Sequence, residues 1–317
     1  MNNSRSAVMI IVLSAGTAMA AVNPGLLRLV MPDAKILSGV QVQQAEASPF
    51  GQYVLSQIQF NDSGFQMFLA ATGFDPRRDV TEVLAATNAD STTTQKNGIV
   101  LGHGAFQPAM IATAATAAGG TVTPYGGINV ITAPRNGTPI SIAFLDASTV
   151  VIGGTDAVEA TIDRRGGPAY SGPLAQQAVA ASANNQAWFA TTTPLSQFLN
   201  GKLGNANLGS VTQGNLLQAV IAASGGLNFG SSAVTISADA VTNSPQNAQA
   251  LEDVLKFLVS MLQSNAQNKP ALGALASSAT FSINGAVMHL AMSLPEEQIE
   301  QLFVPGGAGA KKRIAAR

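Results

Sequence analysis

Apolar positions recur along this chain with two different periods, and the switches between them place its elements. Leu251, Val254, Leu255, Leu258 and Leu262 follow one another at intervals of three and four, the spacing of one helix face. A helix is therefore expected from Gln246 to about Asn265, opened by Ser244-Pro245 as cap and first helical residue. Ser48-Pro49 opens a shorter helix, Phe50 to Phe60, in the same way, and Thr193-Pro194 opens another through Leu199. Phe65, Phe68 and Leu69 mark a helix that stops at Gly73, where the left-handed conformation of a helix end is available to glycine. Asp75-Pro76 then caps a single tight turn, Arg77-Arg78-Asp79.

Runs of β-branched residues and period-two alternation mark the strands. They are Ala34 to Val42, Val80 to Thr87, Gly98 to Phe106, Thr121 to Ala133 bent at Gly126-Gly127, and Ile140 to Gly153 with a turn at Asp146-Ala147-Ser148. In the second half they are Gln186 to Thr192, Ala233 to Val241, and Ala279 to Leu294 folded about Asn284-Gly285. Helices are expected over Gln107 to Ala118, over Asp156 to Arg165 with Thr155 as its cap, over Leu174 to Ser182, over Leu216 to Ser224 ended by Gly225-Gly226, and from Pro295 through Phe303.

Phe65 to Gly73 aligns with Leu217 to Gly225, and both lead into a strand with a Ser-Pro or Thr-Pro cap upstream. This pattern suggests two copies of a strand, helix, helix, strand, helix, strand unit. The fold expected is α+β, in two similar halves, each an antiparallel or mixed sheet covered on one face by helices. Gly166 to Pro173 is rich in glycine and proline, so the division falls there: 21–170 and 171–305, preceded by residues 1–20 and followed by a basic tail, 306–317.

Composition narrows the function. Of 317 residues, 46% are apolar and only 10% charged, and the net charge of −1 gives no footing for nucleic acid or an anionic membrane surface. The absence of cysteine excludes disulfides, thiolate catalysis and cysteine-bound metal. Arg5, the apolar run Ala7 to Leu13, and Ala18-Met19-Ala20 have the order of a secretory signal cleaved after Ala20. The apolar run is far shorter than the roughly 20 residues of a spanning helix, so no integral membrane segment is expected after signal removal, and the location expected is periplasmic or secreted.

Candidate chemistry is sparse. Asp75, Arg77, Arg78 and Asp79, with Glu82, form the densest charge cluster, able to contact an anion or a partner, although capping and local pairing use the same residue types. His103, in Gly102-His103-Gly104, is the other weak binding candidate, since a strand running through Gly-x-Gly towards a helix can seat a ligand. The dinucleotide fingerprint is incomplete there, because Gln107 stands at its third glycine and no acid lies about 20 residues on. His289 lies in a strand. No hydrolase, kinase or P-loop signature occurs, so no catalytic residue, cofactor or metal is assigned. The combination of Gly73-Phe74-Asp75-Pro76-Arg77-Arg78-Asp79-Val80 with upstream Ser48-Pro49-Phe50-Gly51 and downstream Gly-rich strands resembles uncharacterised exported bacterial proteins of the domain-of-unknown-function kind. That resemblance implies no catalytic residues. The function expected is a non-catalytic binding or envelope-associated protein, the alternative being a small-molecule-binding protein or hydrolase with its site near His103. A shallow apolar groove or exposed sheet edge would favour the first, and an enclosed polar pocket holding His103 with a carboxylate the second.

Overall fold

The computed structural model describes residues 21–57, 63–88, 98–135, 138–194, 216–264 and 270–303. In the first half lie α1 (Pro24–Arg28), β1 (Ile36–Gln41), α2 (Val42–Glu46), α3 (Pro49–Gln57), α4 (Ser63–Thr72), α5 (Pro76–Asp79), β2 (Val80–Thr87), β3 (Gly98–Gly104) and α6 (Pro108–Ala117). There follow β4 (Thr121–Tyr125), β5 (Ile128–Arg135), β6 (Thr138–Phe144), β7 (Thr149–Gly153) and α7 (Thr155–Arg164). The second half holds α8 (Pro173–Asn184), β8 (Ala187–Thr191), α9 (Leu216–Ala219), β9 (Val220–Phe229), β10 (Ala233–Thr242), α10 (Pro245–Ser264), α11 (Pro270–Ser277), β11 (Thr280–Asn284), β12 (Val287–Pro295) and α12 (Glu296–Phe303). Residues 1–20, the helix expected after Thr193-Pro194 and the tail 306–317 lie outside the described residues.

Helices and antiparallel strands are present as expected, but the strands form one sheet of twelve, ordered β11-β12-β10-β9-β8-β1-β2-β3-β7-β6-β5-β4. β1 and β8, the first strand of each half, pair at its middle from Ile36↔Thr191 to Val40↔Ala187. From that seam β1, β2, β3, β7, β6, β5 and β4 run outward on one side, and β8, β9, β10, β12 and β11 on the other.

The register assigns side chains to faces, because directly opposed residues share one. One front-face row starts at buried Leu37 and Ala190 and continues through Ser224, Asp239, His289 and Ser282. The core therefore changes sides along the sheet. In the first half Leu37, Leu84, Leu101, Val151 and Trp188 on the front pack against Leu26 of α1, Val158 and Ile162 of α7, and Leu174 and Ala178 of α8. In the second half the buried residues are on the back: Ala240 and Met288 against Ala248 and Leu251 of α10, and Val234 and Leu294 against Phe50 of α3 and Ile299 of α12.

Local expectations hold where the chemistry is local. The Ser48 hydroxyl accepts the Gly51 amide at 2.9 Å and Ser244 the Asn247 amide at 3.2 Å, so both Ser-Pro caps work as read. Gly73, with φ of +67°, closes α4. Gly126 and Gly127, with φ of +54° and +79°, make the tight hairpin between β4 and β5. Two expectations are corrected. Thr155 is the first residue of α7 rather than its cap, which is Gly154, and its hydroxyl bonds Ser141 at 2.9 Å. The helix expected over Leu216 to Ser224 ends after four residues, and Val220 to Phe229 is a strand. Alanine by itself favours helix, and pairing with two neighbours, β8 and β10, overrides that preference. Gly225 and Gly226 stop no helix: a Cβ on either would strike the backbone of an adjacent strand, Ser237 for the first and Ala187 for the second. Phe65 to Gly73 and Leu217 to Gly225 consequently differ in structure despite their similar sequence.

At the seam, a Cβ on Gly39 would lie 2.7 Å from the indole of Trp188, which is 3% exposed. Gly39→Ala is expected to lower stability by about 1–3 kcal/mol through overpacking, and Trp188→Ala by about 3–5 kcal/mol through the void it leaves. Urea unfolding followed by circular dichroism measures both, and an unshifted midpoint for Gly39→Ala would show that the indole is not confined there.

Candidate functional site

The charge cluster caps α5. Asp75 precedes α5 in an extended conformation and its Oδ1 accepts the Arg77 amide at 3.0 Å, while Asp79 Oδ2 accepts the Asp75 amide at 2.9 Å. Arg77 grips the Asp75 carboxylate through Nε and Nη2, at 2.9 and 2.6 Å, and Arg78 grips Asp79 through both groups at 2.7 Å. Arg78 also donates to the Gly73 carbonyl at 2.7 Å, tying the turn to the end of α4. The arginine hydrogen bonds hold the Asp75 and Asp79 carboxyls below their ordinary value. All four candidates are thus together, each turned to another member of the turn.

His103 lies apart from them on the front face, with Glu82 opposite on β2 and Thr149 on β7. The backbone links them: the Ala105 amide donates to the Asp79 carbonyl at 2.7 Å, and a Cβ on Gly104 would strike that same carbonyl, which explains the second glycine of Gly-x-Gly. Glu82, 6% exposed, is the carboxylate that the hydrolase reading needs beside His103. Both its oxygens accept the Asn23 amide, at 3.0 and 3.3 Å, so it anchors the segment leading into α1. Burial raises its pKa above the ordinary 4.5, opposed by the Asn23 amide and by His103.

The second histidine does find an acid. His289 Nδ1 lies 2.5 Å from Asp239 Oδ1 across β10 and β12, on the polar front face of the second half. Fifty residues separate them, and only the strand order brings them together. No spacing motif could announce the pair. Among the described residues no three His, Asp or Glu side chains gather as a metal site would require.

The back face offers a different kind of site. Phe189, Ser38, Ala85 and Val100 form one row across β8, β1, β2 and β3, and Val40 stands in the next. Phe189, Val40 and Val100 are 40%, 37% and 38% exposed, although they lie in the middle of a twelve-stranded sheet. On the β9 side, Phe229 packs on Phe50 of α3 with ring centres 5.4 Å apart. On the β6 side, the rings of Phe68, Phe74, Phe106 and Phe144 succeed one another at 6.3, 5.7 and 5.4 Å, running from α4 down to the sheet. The result is a shallow apolar groove with a floor of four strands, about 15–20 Å across at the usual strand spacing. None of its exposed apolar residues stood out in the sequence, where Phe189, Val40 and Val100 are each one apolar position in a strand.

No family model and no curated protein matches the chain. Among solved structures it is similar to crystal form III of TP0453, with a TM-score of 0.54 at 14% identity over 89% of this chain and 97% of that one. Crystal form IV of TP0453 gives 0.54 at 13% identity over 87% and 95%. The two share a fold. At that identity the likeness carries nothing about activity. Among the described residues no helix is long and apolar enough to cross a membrane.

A raised folded-state pKa means that the stability contributed by Glu82 is fully present below its unfolded value and is lost as pH rises through the folded one. Glu82→Gln is therefore expected to match the wild type at about pH 4 and to be the more stable of the two at about pH 7. Thermal midpoints at both pH values test this, and a variant less stable than wild type at neutral pH would contradict it.

Proposed function

We propose that this protein is an exported, non-catalytic binding module that receives an apolar ligand, or an apolar segment of an envelope or extracellular partner, in the back-face groove. The observation that carries the reading is the uncovered floor itself. Phe189, Val40 and Val100 are large apolar side chains at the centre of the sheet that stay about two-fifths exposed, while Trp188, Leu37, Leu84 and Leu101 of the same four strands are buried on the other face. The aromatic rows on either side border this floor, Phe229 and Phe144 partly exposed and their neighbours Phe50 and Phe106 buried.

The alternative of a hydrolase at His103 is weaker, since the neighbouring carboxylate is engaged by the Asn23 amide and the charged groups of the Asp75–Asp79 turn pair with one another. The export reading rests on residues 1–20, and the fold engages the chain just beyond the expected cleavage point: the Val22 amide donates to Ser182 Oγ at 2.9 Å. Internal duplication is likewise part of the proposal. It is supported by the matching order of the first five strands outward from the seam, β1, β2, β3, β7, β6 against β8, β9, β10, β12, β11, with β5 and β4 added beyond β6 on one side alone, and by a helix, α7 or α12, closing each half.

The test uses 1-anilinonaphthalene-8-sulfonate as an apolar reporter. Saturable binding to the wild type is expected, and Val100→Asp or Phe189→Asp should each weaken it about tenfold, as loss of one well-buried apolar contact does. Both positions are exposed, so circular dichroism should stay unchanged. Reporter affinity indifferent to both substitutions would remove the groove from consideration.

A further inference from the structure

Beyond the groove, the sheet has two outer strands among the described residues, and they differ in kind. β4 contains Pro124, which has no amide to donate, and so resists a further strand. β11, Thr280-Phe281-Ser282-Ile283-Asn284, has neither proline nor charge. Its Thr280, Ser282 and Asn284 are exposed, while Phe281 and Ile283 lie on the back-face core beneath α10. We propose that β11 joins two copies of this chain, pairing antiparallel with its own equivalent about a two-fold axis at Ser282.

The hydrogen-bond pattern makes the edge available. Gly285-Ala286 is a two-residue turn between Asn284 and Val287, with φ of +59° at Gly285. Such a turn makes Asn284 and Val287 a hydrogen-bonded pair, and alternation makes Ser282–His289 and Thr280–Ala291 the next. The amides and carbonyls of Phe281 and Ile283 therefore point away from β12 to the open edge.

The order of side chains selects the occupant. About Ser282 the strand reads polar, apolar, polar, apolar, polar in both directions. An antiparallel copy centred there sets Phe281 against Ile283 of the second chain, twice, with four backbone hydrogen bonds between the outward groups. It extends the apolar back face and lines up Thr280, Ser282 and Asn284 on the polar front. A shift by one residue would set each apolar side chain against a polar one. No like charges meet across the axis, and a net charge of −1 puts little repulsion between whole chains.

Sedimentation of the wild type over a concentration series is expected to show mass rising from one chain towards two. Ser282→Lys and Ser282→Glu each place like charges opposite one another at the axis, so each alone should stay at the mass of one chain with unchanged circular dichroism. An equal mixture of the two should recover the paired species. A wild type that stays at one chain throughout, or a Ser282→Lys variant that associates as the wild type does, would overturn the proposal.

Discussion

The ladder between β1 and β8 holds this molecule together. It is fastened at both ends: the Gln41 amide donates to the Gln186 carbonyl at 2.7 Å, and the Thr192 amide and Thr191 hydroxyl both reach the Lys35 carbonyl, at 3.1 and 3.0 Å. Between these ends Trp188 lies over Gly39, so the strand that begins the second half rests on the one residue of β1 that leaves room for an indole. Hydrogen bonds of this kind contribute about 1 kcal/mol each, but the ladder also fixes register, and register decides which side chains of ten other strands face which layer of helices.

From that seam the burial of the sheet reverses. α1, α7 and α8 cover the front of the first half, and α10, α11 and α12 cover the back of the second. In a sheet whose core changes sides, the back face has a zone that the helices on the front do not cover and that lies short of those covering the back of the second half. The exposed row of Phe189, Val40 and Val100 lies in that zone, and the groove is thus a consequence of how the layers are placed. The same reversal leaves the front of the second half polar and sets Asp239, His289 and Ser282 side by side on it.

Charge plays a local part. With few ionic groups in the chain, those of the Gly73–Asp79 turn are paired within it, at an exposed site where such pairs contribute little beyond fixing a conformation. The buried carboxylate at Glu82 holds the entry to α1 in place. The charged groups of the turn and Glu82 are thus both engaged in contacts within the fold, whereas the exposed row of the back face is uncharged.

The sequence by itself determined what short-range chemistry can determine: the Ser-Pro caps at Ser48 and Ser244, the Asp75 turn, glycine at Gly73 and Gly126-Gly127, the amphipathic α10 and most strand positions. Caps, turns and periodicity act within a few residues, so they are legible without knowing what lies across the sheet. Tertiary structure alone decided that Val220 to Phe229 would be a strand, that the two halves would share one sheet, that His289 would meet Asp239, and that Phe189, Val40 and Val100 would stay open. Each of these depends on which strands become neighbours, and neighbours here lie up to about 150 residues apart, as β1 and β8 do. Pairing at that distance is settled by the combined burial of many side chains, a quantity that no single stretch of sequence contains.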